Sequence, residues 1–342
     1  MRAARLYMPR EALRIEDVPV PELGANDVLV AVKACGVCGT DVHFWQGETP
    51  LPQLPLTLGH EPAGVVAAVG SGVVEWKIGD RVIVTGSMPC RACQNCRQGD
   101  FQSCTQIIEM GIDVDGAFAE FVRTAREGLI ALPDSISFEV GAMLGDAIAT
   151  PYHALVARGQ LQAGESVAIW GCGGLGLHAV KLARLLGAGK IIGVDVRPAA
   201  LEQALAFGAD DVVDVSRERA WQRIHELTNG VDLIVEFVGL SDALNAALRS
   251  LRRGGRLVNV GMRAERMKLL PSTLFAWYEY SLIGAFGCTL SEIHSLVELI
   301  ESGRISFDDS VSLRLPLEEI NRALTVLYQK IDDPIRVMII PE

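Results

Sequence analysis

The chain has 342 residues, 49% of them hydrophobic, and its 42 acidic against 31 basic side chains leave a formal charge of −11. That length exceeds the usual single domain of roughly 100–150 residues, and the apolar content suffices for two buried cores. An acidic balance argues against an electrostatic hold on nucleic acid or an anionic membrane, so the expected partner is a small molecule. No apolar run approaches the roughly 18–20 residues of a spanning helix, and nothing behind the arginines of residues 1–10 makes a signal peptide. A cytoplasmic protein is expected, and there eight cysteines point to metal before disulfides.

Short apolar runs at 28–34, 64–69, 81–84, 118–122 and 129–132, broken by glycine and proline, predict a β-rich first third with long loops. From about Pro151 the rhythm changes. Strands are predicted at 167–170, 190–194, 211–213, 231–237 and 256–260, with helices between them such as 175–186 and 199–207. That alternation predicts a doubly wound parallel sheet. Pro198 suits a helical first turn, because its missing N–H would be unpaired there, and Gly208 sits where a left-handed stop would fall. After 281–286, helices at 292–302 and 317–329 and a last strand at 335–340 form a tail expected to fold back on the first domain.

The strand ending at Trp170 runs into Gly171-Cys172-Gly173-Gly174-Leu175-Gly176, a G-x-G-x-x-G turn at the start of a predicted helix. Glycines let the backbone approach a pyrophosphate, and the helix N-terminus offers N–H groups and partial positive charge. Asp195 closes the next strand 19 residues after Gly176. Its carboxylate can accept bonds from ribose hydroxyls and would repel a 2′-phosphate, which favours NAD over NADP. Arg197 is the counter-argument, since a guanidinium two residues on can pair with that phosphate.

Cys90, Cys93, Cys96 and Cys104 place four thiols within fifteen residues, enough for a closed tetrahedral zinc shell with a structural role. The bacterial iron–sulfur run closes with three intervening residues and a proline. Here Thr105 follows the fourth cysteine after a gap of seven, so zinc is preferred. Upstream, the segments 38–43 and 59–62, with Cys38, His60 and Glu61, supply one thiolate, one imidazole and a carboxylate. Fewer than four cysteines suggests a site that keeps a position open for catalysis. By spacing alone, a lone loop histidine such as His60 is more often a hydrogen-bonded structural residue.

Together the segments G-V-C-G-T-D-V-H at 36–43 and G-H-E-P-A-G at 59–64, the cysteine tetrad and the glycine turn, in this order, resemble the zinc-containing medium-chain dehydrogenase/reductase family of alcohol, polyol and threonine dehydrogenases. The resemblance covers essentially the whole chain. It implies an α/β protein with a GroES-like catalytic domain at 1–147 carrying both zinc sites, a Rossmann NAD-binding domain at 148–285, and a return to the catalytic domain at 286–342. It makes Cys38 and His60 ligands of a catalytic zinc, and Glu61 a ligand that can come and go. Where many members supply a further cysteine, 144–153 has none. That segment resembles the D-x3-T-x2-[FY]-H form of bacterial secondary alcohol dehydrogenases, which points to Asp146 and leaves Glu61 as its competitor. Cys35, Cys172 and Cys288 are read as non-ligand thiols.

The resemblance also gives Thr40 and His43 to a proton relay and Arg336, in Asp333-Pro334-Ile335-Arg336, to the coenzyme pyrophosphate. Val238 and Val260 complete the candidate coenzyme contacts. Trp45 and Phe286 can line the substrate pocket or be ordinary core aromatics. The implied protein binds two zinc ions and NAD, acts as a homodimer or homotetramer, and interconverts a primary or secondary alcohol with its aldehyde or ketone. A polyol or threonine dehydrogenase is the alternative. A zinc-free reductase or a silent binding protein on the same fold would lack a ligand or relay residue, and none is missing.

Overall fold

The computed structural model describes residues 1–341. They divide into two units, Met1–Ala149 with the residues from Cys288 onward, and Thr150–Gly287. In the first unit, apolar and β-branched residues fill the eleven-residue strand Asp27–Val37, which is buried over most of its length. Such a strand belongs in the middle of a sheet. One edge pairs with Glu61–Val69; the other is shared between Phe121–Ala125 and the last strand of the chain, Arg336–Ile340. Arg81–Val84 and Leu129–Ala131 extend the sheet on one side and Val311–Pro316 on the other. A smaller sheet joins Arg14–Asp17, Arg2–Leu6 and Leu56–Thr57. Leu6, Val30, Phe118, Leu324 and Val337 share one core, so N-terminal and C-terminal segments bury the same apolar surface.

Two of the boundaries that differ from the sequence reading have a local cause. The strand expected at 118–122 lies at Phe121–Ala125, because Phe118 bonds the loop at Leu58 through its backbone N–H while its ring fills the core. The helix expected at 317–329 starts with a 3₁₀ turn, Leu317–Glu319, and becomes α-helical over Ile320–Gln329.

In the second unit, Ser166–Trp170 stands between Lys190–Asp195 and Val231–Glu236. Asp211–Asp214 lies outside the former, and Leu251–Asn259 and Ser281–Gly284 outside the latter, with every pairing parallel. The order reverses beside the first strand, which is where doubly wound sheets bind ligands. Trp170, Ile192, Val213, Leu244 and Leu257 form its core. Pro198 opens the helix Pro198–Ala206, and Gly208 takes φ 111°, as their chemistry predicts. No helix among the described residues is long and apolar enough to cross a membrane.

Candidate active site and metal centres

Strand pairing assembles the first metal group. Gly36 stands opposite Glu61 and also opposite Met338, so residues 36–38, 60–61 and 336 converge at one end of the sheet. Cys38 caps the helix Gly39–Gln46. Asp146 follows the helix Phe138–Leu144, whose N-cap Ser137 accepts the Val140 N–H at 3.2 Å. One ligand atom each from Cys38, His60, Glu61 and Asp146 lies within 4.8 Å of the others. Glycine is required at 36, since a Cβ would run into the Glu61 carboxylate.

His60 Nε2 stands 3.7 Å from Asp146 Oδ2, while Nδ1 faces Asp41 Oδ1 at 3.3 Å. Asp41 is fully buried, and its oxygens accept the N–H groups of Cys38 at 2.8 Å and Gly59 at 3.2 Å. Burial opposes a charge on His60, but the Asp41 and Asp146 carboxylates overcome it and hold the imidazole well above its ordinary pKa. Burial first, then Glu61, raises the Cys38 thiol. Burial pushes Glu61 up to about 7 against the pull of Arg336. Cys38 and Glu61 are thus pushed toward their protonated forms and His60 toward its cation, so the group lacks a central charge that would favour thiolate, neutral imidazole and carboxylate together, and Glu61 Oε1 is buried without a hydrogen-bond partner. A divalent cation fits that deficit, and the mixed thiolate, imidazole and carboxylate set suits zinc.

Thr40 and His43 lie three residues apart on the helix Gly39–Gln46 and so share a face. Thr40 Oγ1 is 3.7 Å from Cys38 Sγ, and His43 Nδ1 is 2.7 Å from Glu48 Oε2 at a partly exposed position. Arg336 is 3% exposed, and its guanidinium is paired with Glu61 at the metal end of the sheet.

Three residues beside this group had drawn no attention in the sequence: Asp41, Glu48 and Glu109. Ser87 Oγ donates to both Glu109 oxygens, at 2.8 and 2.9 Å. A Cβ on Gly86 would be 3.5 Å from His60 Cβ and 3.8 Å from Glu109 Oε2, so the carboxylate neighbours the metal group. Burial pushes it up to about 7, with Asp146 adding to the rise.

Cys90, Cys93, Cys96 and Cys104 form a second group within the same 4.8 Å limit. Backbone N–H groups point at their sulfurs, Cys90 N to Cys104 Sγ at 3.2 Å and Cys93 N to Cys90 Sγ at 3.4 Å. Such bonds favour thiolates: those from Cys96 and Thr105 bring the Cys93 thiol down to about 6. Burial pushes Cys96 up to about 12, which only a bound cation would offset. All eight cysteines are free thiols.

In the second unit Gly171 takes φ 90°, and a Cβ there would come within 2.9 Å of Val238 Cγ2. Gly173 caps the helix Gly174–Leu185, Leu175 is in its first turn, and a Cβ at 173 would meet nothing within 4 Å. Gly176 packs the helix on the strand, since a Cβ would run into Gly171 O. Asp195 Oδ2 accepts the Cys172 N–H at 2.9 Å, and Oδ1 those of Val196 and Arg197 at 2.8 and 2.9 Å. Arg197 Nε stands 3.5 Å from Asp195 Oδ1. Val238 and Val260 follow adjacent strands, and their N–H groups are bonded to Glu236.

Residues 24–134 match the alcohol dehydrogenase GroES-like domain, and residues 174–302 match the zinc-binding dehydrogenase domain. The chain is 34% identical to a sorbitol dehydrogenase of Bacillus subtilis, over 100% of this chain and 97% of that one. It is 36% identical to an alcohol dehydrogenase of Geobacillus stearothermophilus, over 94% of each. The alcohol dehydrogenase TADH from Thermus sp. ATN1 superposes with a TM-score of 0.93 at 32% identity over 100% of both chains. A zinc-binding dehydrogenase from Sinorhizobium meliloti, bound to NADP, does so with 0.88 at 29% identity over 99% of both.

Proposed function

Because the chain belongs to the zinc-containing medium-chain dehydrogenase family, we propose that it interconverts a primary or secondary alcohol and its aldehyde or ketone by hydride transfer to and from NAD. The observation that carries the reading is the convergence of Cys38, His60, Glu61 and Asp146 on one point. Cys38, His60 and Asp146 hold the catalytic zinc in this reading, with Glu61 as the exchangeable ligand, and the tetrad holds the structural one. When bound, the catalytic zinc supplies the Lewis acidity that makes a substrate hydroxyl give up its proton at neutral pH. Thr40 Oγ1 takes that proton and the His43 imidazole passes it outward, with Glu48 at 2.7 Å favouring the charged ring. Asp195 supports NAD as the coenzyme, since its carboxylate at the strand end would repel a 2′-phosphate. The family supports a homodimer or homotetramer, and eight free thiols suit a cytoplasmic enzyme.

A polyol is the second reading, favoured by Glu109. That carboxylate accepts one hydroxyl, from Ser87, and has acceptor capacity left for another beside the metal group. A threonine-like substrate would need a cation for its carboxylate, and the Arg336 guanidinium at this end of the sheet is already paired with Glu61. Zinc analysis with a panel of 2-butanol, benzyl alcohol, sorbitol and threonine, each with NAD and NADP, tests both readings. Two zinc equivalents and a higher kcat/KM with NAD and a simple alcohol are expected. Turnover of sorbitol alone selects the polyol, and a preference for NADP overturns the role given to Asp195.

A further inference from the structure

Glu236 ends the strand Val231–Glu236 and is fully buried. It stands where the strand order reverses, beside Trp170, whose strand opens the glycine turn. A buried carboxylate needs compensation, yet the residues opposite it on the flanking strands are Trp170 and Asn259, neither of which ionises. Compensation comes from the turn that follows. Oε1 accepts the Val238 N–H at 2.8 Å and the Gly239 N–H at 3.0 Å, and Oε2 accepts the Gly239 N–H at 3.0 Å. The backbone carbonyl of the same residue accepts the N–H groups of Val260 at 2.8 Å and Gly261 at 3.0 Å. One residue thus fixes the two segments that leave adjacent strand ends.

Those segments have no slack. A Cβ on Gly171 would meet Val238 Cγ2 at 2.9 Å, and one on Gly239 would meet the Gly261 carbonyl carbon at 2.8 Å. Any shift of the turn is therefore felt by the glycine loop. We propose that Glu236 is the positioning residue of the coenzyme site: its carboxylate, without touching the dinucleotide, sets the Val238–Gly239 turn against the glycine turn and so shapes the surface that receives the coenzyme. The inference rests on the reading that NAD binds at Gly171–Gly176.

The environment also makes this support sensitive to protons. Burial pushes the Glu236 carboxyl up to about 7 while the two turn N–H groups oppose it. No charged side chain among the described residues contributes to its surroundings, so burial and those N–H groups decide its state. Protonation on Oε2 removes that oxygen as an acceptor for the Gly239 N–H and leaves both N–H groups on an uncharged Oε1, which holds them more weakly than a carboxylate does. The turn loosens as pH falls, and coenzyme affinity falls with it.

The test is the NADH dissociation constant of the zinc-loaded protein, by fluorescence titration between about pH 5.5 and 8.5. The unaltered protein should bind more weakly as pH drops through the neutral range. Glu236→Gln cannot ionise and sets an amide N–H against the Gly239 donor, so it should bind NADH roughly tenfold more weakly at the alkaline end. Its pH profile should be flat, and its KM for NAD should rise while the KM for alcohol stays put. Glu236→Asp should weaken binding yet keep a slope, because the charge remains and the reach is shorter. A flat profile for the unaltered protein overturns the proposal, as does a Gln variant with ordinary affinity or slope. If the Gln variant does not fold, an Asp variant with ordinary affinity overturns it and a weaker, pH-dependent one supports it. A protein that takes up no NADH at any pH fails at the coenzyme reading, and the proposal falls with it.

Discussion

Asp41 shows how one side chain can set the state of a metal site without being a ligand. Its carboxylate is held from two sides by the Cys38 and Gly59 N–H groups and presents an oxygen to His60 Nδ1. That fixes the ring with Nε2 toward Asp146 and raises the electron density it can donate. Asp41→Asn should lower zinc affinity at the Cys38 group by about 10- to 100-fold and leave the tetrad zinc in place. Zinc content after dialysis against graded chelator checks this, and equal loss of both metals would refute it. His43→Ala should slow alcohol oxidation most near neutral pH and respond to added imidazole, because the lost step is proton transfer; an unchanged pH profile returns His43 to a surface role. Residue type and the family spacing made Cys38 and His60 legible in the sequence. Asp41 was not, because nothing along the chain shows that its carboxylate takes the Cys38 and Gly59 N–H groups and faces His60. The Arg336–Glu61 pair was not legible either, because a one-dimensional motif cannot reveal the strand register that brings them together.

At the scale of the element, the glycine turn separates two roles that a motif merges. Gly176 keeps the helix close to its strand, whereas Gly173 faces open space. Gly176→Ala should lower the Tm of the coenzyme-free protein, since forced overpacking costs about 1–3 kcal/mol. Gly173→Ala should leave that Tm in place and weaken only NADH binding. Calorimetry with and without NADH distinguishes them, and equal effects on Tm would show that both glycines serve packing alone. The tetrad loop is the converse case, an element with little regular structure of its own beyond Gln94–Arg97. Its order depends on four sulfurs, so Cys96→Ser should remove one zinc equivalent and lower Tm, because metal binding there is folding free energy. A variant with full zinc content and Tm would remove the tetrad from the metal sites. The parallel sheet was readable from its β/α rhythm, while the strand at Phe121–Ala125 was misplaced because the apolar Phe118 packs as a loop residue.

Across the whole molecule, the first unit is closed by a contact between residues 275 positions apart, the Arg336–Glu61 pair. Both side chains are almost completely buried, at 3% and 0% exposure. Arg336 reaches Glu61 because the last strand lies antiparallel on Asp27–Val37 with Met338 opposite Gly36. A buried pair adds little net stability over apolar replacements, but removing one partner strands the other, at about 3–5 kcal/mol. Arg336→Met should therefore destabilise the metal-free protein by roughly that amount, and Glu61→Gln in the same chain should recover much of it. Zinc should shrink the penalty, because Glu61 belongs to the metal group and a cation would replace the lost positive charge. Denaturant unfolding of the single and double variants, with and without zinc, measures each step. If the penalty is the same in both metal states, Glu61 does not turn toward the metal when its arginine is lost. The pair would then be a clasp between the start and end of the chain, and the exchangeable-ligand role proposed for Glu61 would fail.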